Sequence, residues 1–154
     1  MEKEALQSSN RPRFSEVCQR YHLDYQAMQA IADRACVRKS VVDAMSVSVA
    51  VRRRHAIQVL AALSKYTGDT WTLDNVQIAL LHTFQELHAF HQFDLSVLSI
   101  TSGISFDTIP MMLRGDTVRA CEARPILQAA SRQTRISYTF KNVDVQLTDG
   151  DEMD

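Results

Sequence analysis

The amino-acid sequence predicts an all-α protein built from two copies of one small helical unit. The first observation is an internal repeat at an offset of 67 residues, which aligns 67–76 (TGDTWTLDNV) with 134–143 (TRISYTFKNV) without a gap. The second is that apolar residues recur at helical spacing within each copy. A chain of 154 residues has room for two units of about 65 residues. Units that small have modest cores, so we expect the copies to pack together or to dimerise.

Three short amphipathic helices open the first copy. Asp24 suits the N-cap of the second helix, because its carboxylate can accept a hydrogen bond from a backbone N–H of the first turn. A short turn at 36–38 leads to the third helix, and we interpret 45–51 as a loop although its apolar residues alternate. The predicted inward faces of the three helices are, in order, Phe14, Val17, Cys18 and Tyr21; Met28, Ile31, Ala32 and Ala35; and Val41, Val42 and Met45.

The fourth helix has the clearest apolar stripe of the first copy, and Gly68 ends it. Thr72 then predicts the cap of a fifth helix that begins at Leu73. Apolar residues continue at helical spacing into the second copy, so we expect one continuous helix to join the two units. The stripe of the fourth helix is Ala56, Val59, Leu60 and Leu63, and that of the joining helix is Val76, Leu80, Phe84 and Leu87.

The second copy repeats this plan over 84–147. Phe93–Asp94 aligns with Leu23–Asp24 only at an offset of 70, so three residues are missing from its second helix. Ser102–Ile104 supplies the turn. Pro110 falls several residues into the predicted third helix, where it would cost roughly 3 kcal/mol unless that helix starts late.

Composition indicates a soluble cytoplasmic protein. Hydrophobic residues make up 45% of the chain and charged residues 23%, which is typical of globular domains. Apolar runs long enough to span a bilayer are absent from the sequence, and its beginning lacks the layout of a signal peptide. The three cysteines show no CxxC spacing, so we expect reduced, buried thiols.

Charge is distributed unevenly behind a net value of −1. Residues 11–66 contain ten basic and four acidic side chains, whereas 79–154 contain six basic and ten acidic ones. The predicted organisation is an N-terminal arm (1–10), a first unit (11–80), a second unit (81–147) and a solvated acidic tail (148–154).

Two segments carry a resemblance to a known family. Residues 31–42 (IADRACVRKSVV) and 98–109 (LSITSGISFDTI) resemble the Leu-Ala-x-x-Ala-Gly-Val-Ser-x-x-Thr-Ile pattern of the lambda-repressor-like helix-turn-helix domain, and 59–76 is similar to the following helices of bacterial Cro/repressor-type regulators. The resemblance covers 14–147 as a tandem pair. The first copy departs from the pattern, since Cys36 occupies the turn position where Gly103 stands in the second, and the usual glutamine is either replaced by Met28 or displaced to Gln29.

This resemblance implies a sequence-specific, DNA-binding transcriptional regulator of bacterial or phage type. A major groove about 12 Å wide accepts one helix, so the third helix of the first unit would present its N-terminal side chains to bases. The expected base-reading residues are Arg38, Lys39, Ser40 and Asp43. The expected phosphate contacts are Arg34, Arg52, Arg53 and Arg54, together with Arg11 and Arg13 on a mobile N-terminal arm. The alternative interpretation of these cations is a solvated charged face.

The second unit is less suited to reading DNA. Its third helix is apolar, and the three arginines 52–54 correspond to Arg119-Ala120-Cys121. We therefore expect an association surface for a homodimer or another protein partner, formed by Phe106, Met111, Met112 and Leu113. The alternative function is a protein-interaction adaptor or antitoxin-like component that does not bind DNA.

Catalytic and metal-binding motifs are not evident in the sequence. His88 and His91 have a spacing that can grip a metal, but carboxylate or cysteine pairs do not converge with them in sequence, so we expect polar-face histidines on the joining helix. Walker A, GxSxG and HExxH patterns are absent. The prediction is therefore a protein without enzymatic activity, cofactor or metal.

Overall fold

The computed structural model describes residues 11–148. The predicted arm at 1–10 and the tail residues 149–154 lie outside that range. The described residues are predominantly helical, which confirms the all-α prediction at the level of fold class. The chain divides into two compact units, one ending at Leu80 and the other beginning at Leu81, the same position as the boundary predicted from the repeat.

The described part of the first unit contains four helices that enclose one apolar core. Their bounds are α1 (Phe14–Arg20), α2 (Tyr25–Ala35), α3 (Lys39–Ser46) and α4 (Arg53–Thr67). Phe14, Ile31, Val42, Leu60 and Leu63 are fully buried at the centre of this core. The inward faces predicted from helical spacing therefore supply the largest buried side chains of the unit.

The described part of the second unit repeats the four helices and adds two short strands. The elements are β1 (His82–Thr83), α5 (Phe84–His91), α6 (Leu95–Ser102), α7 (Thr108–Arg114), α8 (Ala120–Thr134) and β2 (Val143–Asp144). The strands pair in parallel, with His82 opposite Val143 and Thr83 opposite Asp144. The core contains Phe84, Leu98, Ile109, Ile126 and Leu127.

The two units share a frame of local hydrogen bonds. After α4, the Asn75 side chain accepts the N–H of Thr72 at 2.8 Å and donates to the carbonyl of Thr70 at 3.1 Å. After α8, Asn142 makes the same two bonds with Thr139 and Ser137, both at 2.8 Å. Single backbone bridges also correspond at the offset of 67, since Val51 pairs with Leu80 and Val118 with Leu147.

The predicted helix between the units is not formed, and this prediction was wrong. Residues 73–75 make a turn, and the chain is then largely extended up to α5. The backbone N–H of Gln77 bonds to the carbonyl of Pro12, and the carbonyl of Ala79 accepts the N–H of Val51. These groups are therefore used by neighbouring segments of the first unit instead of by a helix ladder.

A capping box also starts α5 afresh. The Thr83 hydroxyl accepts the N–H of Glu86 at 3.2 Å, while the Glu86 carboxylate accepts the N–H of Thr83 at 2.8 Å. Such reciprocal bonds satisfy donors that are left open only at a helix start. Phe84 and Leu87 therefore belong to a new helix.

Two differences separate the helical pairs of the units. α6 has eight residues where α2 has eleven, in agreement with the missing three residues, and both begin at an aspartate cap. α7 starts at Thr108, so Pro110 lies in its first turn, where its missing N–H deprives the helix of no internal bond. The helix does start late, and Pro110 does not break it.

Candidate nucleic-acid interface

A tight turn joins α2 and α3 in the first unit. Cys36 adopts a left-handed conformation with φ of 59° and ends α2, and the N–H of Val37 bonds back to the carbonyl of Ala32 at 3.1 Å. Ala32 and Val42 are fully buried on the facing sides of the two helices. The packing of this pair leaves the opposite face of α3 exposed to solvent.

The exposed face of α3 contains Ser40 and Asp43, with Arg38 exposed at the N-cap. Lys39 is placed differently from the prediction. Its Nζ lies 2.7 Å from Asp43 Oδ1 and 4.0 Å from the centroid of the Tyr25 ring, and only 17% of its side chain is exposed. Lys39 and Asp43 therefore form an ion pair with each other, and neither side chain is directed outward to a base on its own.

The start of α4 concentrates positive charge. Arg53 and Arg54 are its first two residues, both exposed, and His55 is the third. A helix N-terminus has open N–H donors and a positive dipole end, so it ordinarily favours acids, by roughly 0.3–1 kcal/mol each. The two arginines at this end interact unfavourably with the helix dipole. An anion bound there would be attracted both to the arginines and to the dipole.

The second unit shows the ordinary arrangement at the same place. α8 begins Ala120-Cys121-Glu122, with an acid in the first turn where the first unit has His55. Both helices have the same length and the same register in the repeat. The arginines of α4 are therefore not needed to form a helix at this position.

Arg52 was assigned to phosphate contact, and the structure corrects that assignment. Arg52 is the N-cap of α4 and is only 8% exposed. A side chain buried to this extent is part of the folded unit and not of its outer surface. The corresponding Arg119 of the second unit is exposed, so this burial was not evident from the repeat.

Arg11 and Arg13 were assigned to a mobile arm, and this assignment is also corrected. The Arg11 guanidinium donates to the carbonyl of Leu73 at 3.0 Å. Arg13 is the N-cap of α1, and its N–H bonds to the Glu16 carboxylate at 2.9 Å. Both residues are exposed but held by the first unit, whereas Arg34 is exposed in the last turn of α2.

The association surface predicted for the second unit is largely core. Met112 is 4% exposed and packs within the buried cluster, while Met111 and Leu113 are half-buried against that cluster. Only Phe106, at 46%, has a large exposed area. The helical spacing explains the correction, because α7 has to supply the inward face that closes this small core.

Other apolar side chains of the second unit are exposed instead. Ile100 is 80% exposed, and Val97 shares its face of α6 at a spacing of three residues. Phe90, near the end of α5, is 82% exposed. The signal was present in the sequence, since α6 (LSVLSITS) has no charged residue and has Val97 and Ile100 in addition to its buried Leu98.

The histidines of α5 pack against aromatic rings. His88 and His91 both stack on Phe93, with ring centroids 6.0 and 5.8 Å apart, and His91 also lies 6.2 Å from Tyr138. Within residues 11–148, groups of three or more His, Cys, Asp or Glu side chains placed to hold a metal ion are not found. The described helices also include none that is long and apolar enough to cross a membrane.

Comparisons of the chain with protein-family models, with curated proteins and with solved structures find no match.

Proposed function

We propose that the first unit binds double-stranded DNA and that the protein is a sequence-specific transcriptional regulator of the lambda-repressor-like helix-turn-helix type. In this proposal α3 enters the major groove, with Arg38 and Ser40 facing bases. Arg34, Arg53 and Arg54 contact phosphates on either side. The activity is binding, without catalysis.

The observation that carries the proposal is the pair of arginines at the start of α4. Arg53 and Arg54 stand where the helix dipole disfavours cations, and the second copy has Ala120 and Cys121 there. A DNA phosphate at this helix start would accept hydrogen bonds from backbone N–H groups and from the guanidinium groups together. The arginines at the start of α4 are therefore expected of a DNA-binding surface, because a bound phosphate offsets their unfavourable interaction with the helix dipole.

The net charges of the two units support the proposal that the first unit, and not the second, binds DNA. The first unit, over 11–80, has ten basic and six acidic residues, a net charge of +4. The second, over 81–148, has six of each and is neutral. Phosphate neutralisation by cations supplies most of non-specific DNA affinity, so the second unit is a poor candidate for a second DNA-reading element.

The second unit is proposed to mediate self-association. The proposed association surface keeps Phe106 and adds the exposed Val97 and Ile100. It excludes Met112, which is buried in the core. Regulators of this type bind two-fold operators as dimers, with half-sites about 34 Å apart. The exposed apolar face of α6 equally suits a different protein partner, and that observation favours the adaptor function as the second candidate.

The test is the binding of a labelled random-sequence duplex of about 30 base pairs, measured by fluorescence anisotropy at 50 and 200 mM salt. Wild type should bind and lose affinity steeply with salt. R53A with R54A should weaken binding to all sequences alike and reduce the salt slope by about 0.9 for each lost phosphate contact.

The matched control is K65A, which removes one exposed cation from the last turn of the same helix. Its slope should stay close to that of wild type. The single variant R54A, which also removes one cation, is compared with it directly. An equal effect of K65A and R54A would refute the placement of the interface at the start of α4. Absence of binding at both salt concentrations would leave the adaptor function.

A further inference from the structure

The second unit contains a cavity of about 370 Å³ between α8 and the turn that follows it. Its apolar lining consists of Leu127, Tyr138 and Phe140, and its polar lining includes Arg124, Gln128 and Lys141. This volume falls within the range of about 300–1,000 Å³ that is typical of small-molecule sites. The cavity is therefore large enough for a ligand of one or two rings.

Both walls of the cavity are fixed by the fold. Arg124, Leu127 and Gln128 lie on one face of α8 at helical spacing, i, i+3 and i+4. The opposite wall is the turn at 138–141, where the Ser131 hydroxyl accepts the N–H of Tyr138 at 2.8 Å. Asn142 bonds to the turn as well, as described above. A ligand would thus enter a preformed site.

The charge pattern of the lining selects the chemistry of the ligand. Leu127 and Tyr138 are buried and Phe140 is half-buried, whereas Arg124 and Lys141 are exposed at the rim. The Arg124 guanidinium carbon lies over the Phe140 ring, 5.2 Å from its centroid, so cation and ring are in direct cation–π contact. Among the described residues that line the cavity, none is a carboxylate that would neutralise these two cations.

The first unit shows that the fold does not require these cations. At the offset of 67, Arg124 corresponds to Ile57, Gln128 to Ala61, and Lys141 to Asp74. The same helix and the same Asn-bonded turn form there with no cation at either position. The two positive charges over an apolar floor are thus a property of the second unit alone.

We propose that this cavity binds a small amphipathic acid, an aromatic body bearing one carboxylate. The ring would pack on Leu127, Tyr138 and Phe140, where aromatic contacts add to simple burial. The carboxylate would accept from Arg124, whose planar guanidinium matches it in geometry, and from Lys141. The site lies entirely within the second unit, and the proposal does not depend on DNA binding by the first.

The probes are 2-naphthoate and its neutral counterpart 2-naphthalenemethanol, each titrated into the full chain with backbone-amide NMR shifts and calorimetry as readouts. 2-Naphthoate should shift the amides of 124–128 and 138–141 and bind at least tenfold more tightly than the alcohol. Equal affinities, or shifts confined to other residues, would overturn the proposal.

Variants taken from the first unit separate charge from shape. R124I with K141D should weaken 2-naphthoate binding tenfold or more and leave binding of the alcohol unchanged, because only the carboxylate loses its partners. The control R132A removes an exposed cation of α8 outside the cavity and should change neither affinity. F140A should weaken both ligands, since it removes ring packing from both. Retention of full 2-naphthoate affinity by the R124I and K141D double variant would refute the assignment.

Discussion

The hydroxyl of Ser64 accepts a hydrogen bond from the backbone N–H of Trp71 at 2.7 Å, across the turn that ends α4. The same oxygen donates to the carbonyl of Leu60 at 2.8 Å. Ser131 makes both bonds in the second unit, to Tyr138 and to Leu127, each at 2.8 Å. One serine in each copy therefore fastens the returning chain to the longest helix of its unit.

Replacing either serine should destabilise the protein. S64A or S131A leaves a part-buried backbone N–H without its acceptor, and we expect a loss of about 1–3 kcal/mol in the free energy of unfolding. Urea denaturation monitored by circular dichroism measures this loss. The control S96A changes an exposed serine of α6 and should stay within about 0.5 kcal/mol of wild type. If all three variants lose the same amount, the turn is not held by these hydroxyl groups.

The Lys39–Asp43 pair predicts an unusual gain of DNA affinity. D43N removes the acid that holds Lys39 and makes α3 more positive by one charge, so binding to random duplexes at 50 mM salt should strengthen. Anisotropy titration measures the change. D74N adds the same charge in the turn that follows α4 and should have a smaller effect. Equal gains for both variants would point to net charge alone and away from α3.

Met112 in α7 and Phe106 in the turn before α7 should differ in how far their replacement destabilises the protein. M112A should cost about 2–5 kcal/mol of unfolding free energy, because Met112 is buried in the core of the second unit. F106A should cost less than about 1 kcal/mol, because its side chain is 46% exposed. Thermal and urea unfolding of the two variants provide the comparison. A larger loss for F106A than for M112A would contradict the burial of Met112 and the exposure of Phe106.

The three cysteines should differ sharply in reactivity. Burial raises the pKa of Cys18 to about 11, whereas Cys36 and Cys121 are exposed, so the expectation of buried thiols was wrong for these two. Because the thiolate is the reactive form, a disulfide-exchange reagent at pH 8 should titrate two thiols quickly and the third only after unfolding. Three fast thiols in the native protein would contradict the burial of Cys18.

The same shift has a consequence for stability. The folded state keeps the Cys18 proton to a higher pH than the unfolded chain, so the stability due to this group is complete below pH 9 and falls as the pH rises toward 11. Urea unfolding of wild type and C18A at pH 8 and pH 10.5 measures this contribution. The difference between the two proteins should shrink at the higher pH.

The repeat predicted much of the fold because it constrained both copies at once. The bounds of α4 and α8 follow from one stripe read twice, and Asp24 and Asp94 cap their helices as their positions suggested. The joining helix failed for a physical reason. Val76, Leu80 and Phe84 fit a helical period by coincidence, while the bonds of Asn75 and the Thr83–Glu86 capping box decided the backbone.

The candidate site was less predictable than the fold. A charged residue is usually exposed, so nothing in the arginine run distinguished the buried Arg52 from the exposed Arg53 and Arg54. An ion pair at the i, i+4 spacing of Lys39 and Asp43 is common on helices. The sequence alone did not show that the Tyr25 ring would also contact the Lys39 ammonium group. Side-chain partners of this kind depend on the packing of α2 against α3.

α6 is three residues shorter than α2, and this difference limits how similar the binding surfaces of the two units can be. At 1.5 Å per residue the difference is about 4.5 Å of reach, close to one helical turn. The capped end of α6 therefore stands that much nearer to its turn than the capped end of α2 does. Transplanting the outer side chains of α3 onto α7 would copy the sequence of α3 but not the length of α2. The second unit would therefore still contact a different area of any surface that the first unit fits.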